Sequence, residues 1–160
     1  MKITNVEARW IRVPIPQARQ HTSDFGRADT FDTAIVRIDT DEGVSGWGEA
    51  KNAAGSAGSY GAIATLVNQE MAPLLRGEDP LRINRLYELL YSGTRAHLAL
   101  ERGHVFPVMA RRGLSIAALS GIDLALWDIL GKSLGVPVHQ LLGGKRVDRM
   151  PAYASGGWAP

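Results

Sequence analysis

The feature that most constrains the fold is a long helix predicted over Ser115–Leu134, near the C-terminal end of the sequence. Its small residues Ala117, Gly121 and Ala125 recur at every fourth position, which places them on one face of a helix. A face of small side chains allows another backbone to approach closely. The pattern therefore predicts a helix that packs tightly against a neighbouring element.

The end of this helix is also specified. Gly135 suits a left-handed C-cap, and Pro137 cannot continue a helix because it lacks a backbone N–H. A short helix closed by Gly143 follows, and the segment Met150 to Ala154 is predicted to be a strand. The sequence thus predicts a new element directly after the long helix.

Three strands are predicted in the first 50 residues. β-branched and aromatic residues alternate with polar ones between Ile3 and Val13, as expected for a strand. The segment 31–50 contains a second strand, a tight turn in which Gly43 can take a positive φ, and a third strand through Trp47. We expect these strands to form an antiparallel meander.

Helices are predicted after the strands. Apolar residues recur at helical spacing in the segment 62–75, and a second helix is expected from an N-cap at Asp79 to a stop at Gly93. The segment 94–113 lacks a sustained period and is predicted to be mostly loop. Strands followed by helices indicate an α+β fold.

A polar loop, Gln17–Thr30, separates the first two strands. At about 14 residues it is longer than an ordinary hairpin turn, so it is a candidate functional loop. His21, Ser23 and Arg27 are its candidate polar contacts, and Phe25 is its large aromatic residue. Loops of this kind often carry binding residues.

A second loop of small residues, Lys51–Gly61, follows the third strand. Tyr60 is its large aromatic residue. An aromatic side chain on a loop often makes contacts with a ligand, although it can also fold back as a local plug. We therefore expect Tyr60 to be a candidate contact residue.

Composition and charge exclude several classes of protein. The 160 residues contain 18 Lys and Arg against 16 Asp and Glu, a net charge of +2, and no basic stripe indicates nucleic-acid binding. The absence of cysteine excludes disulfides, thiol nucleophiles and cysteine-based zinc sites. We find no apolar secretion signal and no uninterrupted run long enough to span a bilayer, and expect a cytoplasmic protein without membrane contact.

No motif in these residues assigns a reaction. Gly131–Ser133 resembles the end of a phosphate-binding loop, but Leu126 occupies the position of the required first glycine. Asp123 and Asp128 are five residues apart and diverge on the helix, so Asp128 is expected to pair with Lys132 instead. The four histidines lie in different segments without metal-ligand spacing, so we predict neither a catalytic nor a metal-ligating residue.

The string "GIDLALWDILGKSLGVPVHQLLGG" closely resembles the join between the two domains of the mandelate racemase and muconate lactonizing enzyme family of the enolase superfamily. "VRIDTDEGVSGWGEA" and "GEDPLRINRLYELLY" are similar to earlier parts of that family. The resemblance implies an enolase-type N-terminal capping domain at 1–114. It also implies that 115–160 contains the connecting helix and the first strand of a truncated TIM-like (β/α) barrel.

The resemblance further implies an enzyme that uses Mg²⁺ to remove the proton α to a carboxylate. The metal ligands and catalytic groups of the family lie on later barrel strands, so the 160-residue chain alone is expected to be inactive. The two loops would close over the barrel mouth as lids, and Ser155 and Trp158 would lie at the C-terminal end of the first barrel strand.

The resemblance leaves open which small-molecule carboxylate is the substrate and which reaction is catalysed. The polar side chains His21, Ser23 and Arg27 favour a hydroxylated acid, and hence an acid-sugar dehydratase. A racemase, an epimerase or a cycloisomerase of the same family is an alternative, and a standalone, non-catalytic α+β binding module is another. We expect a homo-oligomer.

Overall fold

The computed structural model describes residues 1–23, 26–52, 57–103 and 112–153. The strands are β1 (Ile3–Pro14), β2 (His21–Ser23), β3 (Gly26–Ala28), β4 (Thr30–Thr40) and β5 (Ser45–Ala50). The helices are α1 (Ala57–Thr65), α2 (Ala72–Leu75), α3 (Ile83–Glu101), α4 (Leu114–Leu134) and α5 (Val138–Leu141). A 3₁₀ turn covers Gln17–Arg19, and a π-helical turn, Leu66–Met71, joins α1 to α2.

The main sheet has the predicted antiparallel arrangement. Its strand order is β1-β4-β5, with Trp10 opposite Ala34 and Ile38 opposite Gly46. Gly43 has a φ of 78° in the turn between β4 and β5, which is the positive value expected from the sequence. The three-stranded meander and the α+β class are confirmed.

One face of this sheet forms half of the core. Alternate residues of β4 point to the same side, and Ala34, Val36 and Ile38 are completely buried there. The helices α1, α3 and α4 supply the other half of the core, through the buried residues Ile63, Leu86, Leu90, Ile122, Leu126 and Ile129. The buried residues within each helix recur at helical spacing, whereas Leu81, which the same period predicts to face inward, precedes α3 and is 43% exposed.

The closest packing in the fold joins α4 to β5. A Cβ built on Gly48 would lie 2.0 Å from the carbonyl oxygen of Gly121, and one on Gly46 would lie 2.0 Å from that of Ala125. Real Cβ atoms do not approach so closely, so both strand positions require glycine. The predicted small-residue face of α4 is thus confirmed, and the glycines of β5 are its partners.

Side chains pair with the outer edges of the sheet. Asn68, in the π-helical turn, accepts from Ala8 N at 2.7 Å and donates to Ala8 O at 2.9 Å on the edge of β1. On β5, Asp128 accepts from Trp47 N at 2.9 Å, and the predicted pair of Asp128 with Lys132 is present at 2.5 Å. These contacts cover backbone groups that would otherwise invite pairing with another chain.

Three predicted helix boundaries are wrong. α1 begins at Ala57, so the last five of the eleven residues in the predicted second loop are helical, and α3 continues past Gly93 to Glu101. A single glycine costs only about 1 kcal/mol in a helix interior, and the strong helix formers after Gly93 offset that cost. α3 also starts later than predicted, at Ile83, although the Asp79 carboxylate accepts from Leu81 N, the contact expected of a helix N-cap.

The predicted strand from Met150 is not found in its described part. Met150–Tyr153 has no regular secondary structure, and both end residues are strongly exposed. A strand forms only when a neighbour accepts and donates its backbone hydrogen bonds, and no described strand pairs with this segment. Ala154 lies outside the described residues, and the domain boundary between residues 114 and 115 stays a prediction.

Among the described residues, α4 is the one helix long and apolar enough to span a membrane by length and composition. The apolar composition of α4 is explained by its place in the core, where Ile122, Leu126 and Ile129 are buried. A helix that is apolar on most sides is typical of a core position.

Candidate functional site

The described part of the predicted first loop forms a small hairpin. β2 and β3 pair with His21 opposite Ala28 and Ser23 opposite Gly26. At the base of this hairpin, Ile15 N donates to Asp29 O at 2.8 Å. The hairpin therefore continues the ladder of backbone hydrogen bonds between β1 and β4. The segment extends the main sheet beyond the core and is not a featureless loop.

Arg27 is held in a defined orientation within this hairpin. Its Nε and Nη2 atoms donate to Gln20 Oε1 at 3.2 and 2.8 Å, and Gln20 Nε2 donates to Ile15 O at 2.9 Å. Because Gln20 is neutral, it orients the guanidinium without cancelling its charge. Gln20 uses two of the five N–H donors, which leaves Arg27 able to bind an oxygen-rich ligand.

The remaining predicted residues of the first loop are described only in part. His21 lies in β2 and is half-buried. Ser23 is placed through its backbone in β2, and its side chain lies outside what the structure describes. Phe25, like the predicted barrel-mouth residues Ser155 and Trp158, lies outside the described residues.

The predicted position of Tyr60 is wrong. Tyr60 lies in α1 and not in a loop, its exposed fraction is 5%, and its hydroxyl donates to Asn52 O at 3.2 Å. The spacing from Tyr60 to Ile63 and Val67 is helical, so all three belong to one buried face. That period was the signal that Tyr60 is a core residue which anchors the start of the second loop.

A polar cluster at the base of the hairpin was missed by the sequence analysis. Asp32 Oδ1 accepts from Trp10 Nε1 at 2.7 Å, and Asp32 Oδ2 accepts from Thr30 Oγ1 at 2.9 Å. Arg12 Nε lies 3.7 Å from Asp32, and its guanidinium carbon lies 5.8 Å from the Trp10 ring centroid. We call these four residues the hairpin anchor. Asp32 shares the sheet face of Ala34, and this alternation was the available signal.

The outward face of α4, formed by Asp123, Leu124, Trp127 and Leu134, carries apolar groups beside a carboxyl group. Leu124 is 48% and Leu134 is 59% exposed. Desolvation raises the pKa of Asp123, and a hydrogen bond with Trp127 opposes this rise in part. Such a surface is typical of a face that packs against a further part of the protein.

The described residues do not fit a magnesium ion. In residues 1–23, 26–52, 57–103 and 112–153, no three His, Asp or Glu side chains are grouped so that they could hold a metal. Mg²⁺ takes oxygen ligands in near-octahedral geometry, which needs convergent carboxylates.

A three-stranded antiparallel sheet, a helical layer and a polar hairpin extending from the sheet define an α+β capping domain. The model of the mandelate racemase / muconate lactonizing enzyme N-terminal domain matches residues 3–143, and the chain belongs to this family of the enolase superfamily.

Curated relatives match about three quarters of this chain. A D-galactonate dehydratase from Verminephrobacter eiseniae is 44% identical over 124 residues, and one from Ralstonia nicotianae is 44% identical over 120 residues. These alignments cover 78% and 75% of this chain. The chain matches only 27% of the length of either relative.

Solved structures of the superfamily have the same fold. An enolase-superfamily member from Polaromonas sp. JS666 is 33% identical with a TM-score of 0.75. The match covers 100% of this chain and 38% of the Polaromonas chain. A muconate lactonizing enzyme from Pseudomonas fluorescens, complexed with muconolactone, is 30% identical with a TM-score of 0.68. That match covers 92% of this chain and 35% of the enzyme. The capping-domain fold is therefore confirmed.

Proposed function

We propose that the chain is the substrate-selecting N-terminal part of an acid-sugar dehydratase. The whole enzyme would remove the proton α to a sugar carboxylate and expel the β-hydroxyl as water, leaving an enol that rearranges to a 2-oxo-3-deoxy acid. Identity of 44% to proteins named D-galactonate dehydratase supports this class. The structural observation that carries the proposal is the charged, oriented guanidinium of Arg27 on the hairpin.

The described residues supply selection and not proton transfer. They contain no carboxylate cluster for Mg²⁺, so the metal and the groups that abstract the proton would belong to a barrel outside the 160 residues. When bound there, Mg²⁺ would stabilise the negative charge that develops on the substrate carboxylate. With proton transfer carried out by the barrel, Arg27 would bind hydroxyl or carboxylate oxygens away from the reacting carbon.

The outward face of α4 supports the presence of such a barrel. Leu124 and Leu134 leave large apolar surfaces in water, and Met150 and Tyr153 are 82% and 91% exposed. Covering this surface would stabilise the protein by about 25 cal/mol for each Å² of apolar area removed from water. The barrel would pack against this side of α4, opposite to the sheet. By the same reasoning, the 160-residue chain should elute from size-exclusion chromatography as a self-associated species.

The reaction can be tested in the whole enzyme with D-galactonate. Proton NMR in deuterated water would follow exchange of the α-proton and formation of the 2-oxo-3-deoxy product. The Arg27→Ala variant should raise KM and change the preference among acid sugars, while α-proton exchange survives on at least one substrate.

Arg76→Ala is the matched control, because Arg76 is exposed in the turn after α2, at the opposite end of β1 from the hairpin. It removes the same charge and should leave KM unchanged. Loss of exchange on every substrate in a folded, metal-loaded Arg27→Ala enzyme would place Arg27 in the catalytic centre and refute the division between lid and barrel.

A racemase or cycloisomerase is the second candidate. Solved neighbours include a racemase from Streptomyces coelicolor with bound magnesium, 28% identical with a TM-score of 0.69, besides the muconate lactonizing enzyme. The same NMR experiment separates the candidates. A racemase would exchange the α-proton of its acid without releasing water, and a cycloisomerase would convert its acid to a lactone without forming a 2-oxo acid.

A further inference from the structure

Asp32 lies where the sheet leaves the core and enters the hairpin. Its side chain is only 7% exposed, although it belongs to the strand segment that leads directly to Thr30 and β3. Both carboxylate oxygens are used, one by the Trp10 indole and one by the Thr30 hydroxyl. A carboxylate with both oxygens used resists displacement, because moving its side chain would break both hydrogen bonds together.

Trp10 extends this contact to the second loop. A Cβ on Gly61 would lie 3.4 Å from Cε3 of the Trp10 ring, so the ring packs against α1. Tyr60, the residue directly before Gly61, donates to Asn52 O at the start of the second loop. One chain of contacts thus runs from the hairpin through Asp32 and Trp10 to the helix that follows the second loop.

We propose that Asp32 and Trp10 are positioning residues that set the hairpin and α1 in one fixed relation, so that Arg27 meets the substrate at a constant place. This inference rests on the proposed function. Neither residue would contact the substrate. Asp32 acts by holding the strand that leads to β3, and Trp10 acts by joining that strand to α1.

Asp32→Ala in the whole enzyme tests the positioning role. It removes the shared acceptor and should raise KM for the acid sugar about 10- to 100-fold, the scale of a displacement of about 1 Å at a binding group. The rate of α-proton exchange at saturating substrate should stay within about twofold of wild type, because the barrel groups are untouched.

Asp32→Asn is the conservative rescue. Its remaining oxygen can accept from the Trp10 indole, and the Thr30 hydroxyl can rotate to accept from the new amide. KM should therefore return to within about threefold of wild type. Thr33→Ala is the matched control: Thr33 is the next residue of β4, and its hydroxyl donates to Glu49 at 2.6 Å, away from the hairpin anchor.

A second readout does not depend on activity. Amide hydrogen exchange of the whole enzyme should accelerate in β2 and β3 of the Asp32→Ala variant, with α4 unchanged and with wild-type rates in the Asp32→Asn variant. If wild-type enzyme acts on no acid sugar, the proposed function fails while this exchange still tests the anchor. Equal KM and equal hairpin exchange in the Asp32→Ala and Thr33→Ala variants, or no recovery in Asp32→Asn, would overturn the positioning role.

Discussion

Gly48→Ala is the substitution for which the structure makes the sharpest stability prediction. The new Cβ would lie 2.0 Å from the carbonyl oxygen of Gly121 and 2.9 Å from Ala125 N. Ordinary contacts begin at 3.4 Å, so α4 would have to withdraw from β5 by about 1.4 Å. Both obstructing atoms belong to the backbone and cannot rotate away.

The cost follows from what α4 buries. A gap of 0.5–1 Å already forfeits about a quarter to a half of the dispersion attraction of the atoms facing it. Ile122, Leu126 and Ile129 face the core from α4 and would all lose contacts. We expect the free energy of unfolding to fall by about 3 kcal/mol, the upper end of the range for overpacked cores, and Tm to fall by about 6–12 °C.

Urea unfolding followed by circular dichroism would measure this change, and Gly61→Ala is the control. Gly61 lies in α1, where a Cβ would make only an ordinary contact with Trp10, so the same substitution should be neutral or stabilise by up to about 1 kcal/mol. If Gly48→Ala unfolded at the wild-type urea concentration, the close contact between β5 and α4 would be absent in solution and the packing argument would be wrong.

Three further predictions concern other parts of the chain. Asn68→Ala should cost about 1–3 kcal/mol and speed amide exchange at Ala8, because both backbone groups of that edge residue lose their partner. A hydrogen bond with the Ser45 hydroxyl, and after it one with Arg37, lowers the pKa of Asp39 from its ordinary value of 3.8. Ionised Asp39 therefore stabilises the folded state in full above pH 3.8, and this contribution disappears as the pH falls through the lower pKa of the folded protein. Denaturant midpoints of Ser45→Ala and wild type should accordingly differ at pH 7 and converge in acid. Calorimetric titration of the 160-residue chain should detect no micromolar Mg²⁺ site.

Periodicity alone was enough for the main architecture. The alternation in β4 and the fourth-residue spacing of small residues in α4 are local properties of the chain, and both identify faces that the structure buries. Gly135 adopts the predicted left-handed conformation with a φ of 66°. These features depend on backbone geometry and on one face of apolar or small side chains, which a sequence records directly.

The candidate site was predicted less completely. Arg27 was identified by its charge within a polar loop, but its orientation depends on Gln20, seven residues away, in a hairpin whose pairing no local pattern announced. The glycines around Tyr60 predict a loop, but α1 begins before them and buries the Tyr60 side chain.

The sequence by itself determined the three-stranded meander, the long helix with its face of small residues, and the resemblance that led to the family. Only the tertiary structure decided that Asp32 would meet Trp10, that Asn68 would pair with the edge of β1, and that Gly48 would lie against Gly121. Each of these contacts joins residues 22 to 73 positions apart in the chain. Their geometry arises when separate elements pack together, so no local period along the chain contains it.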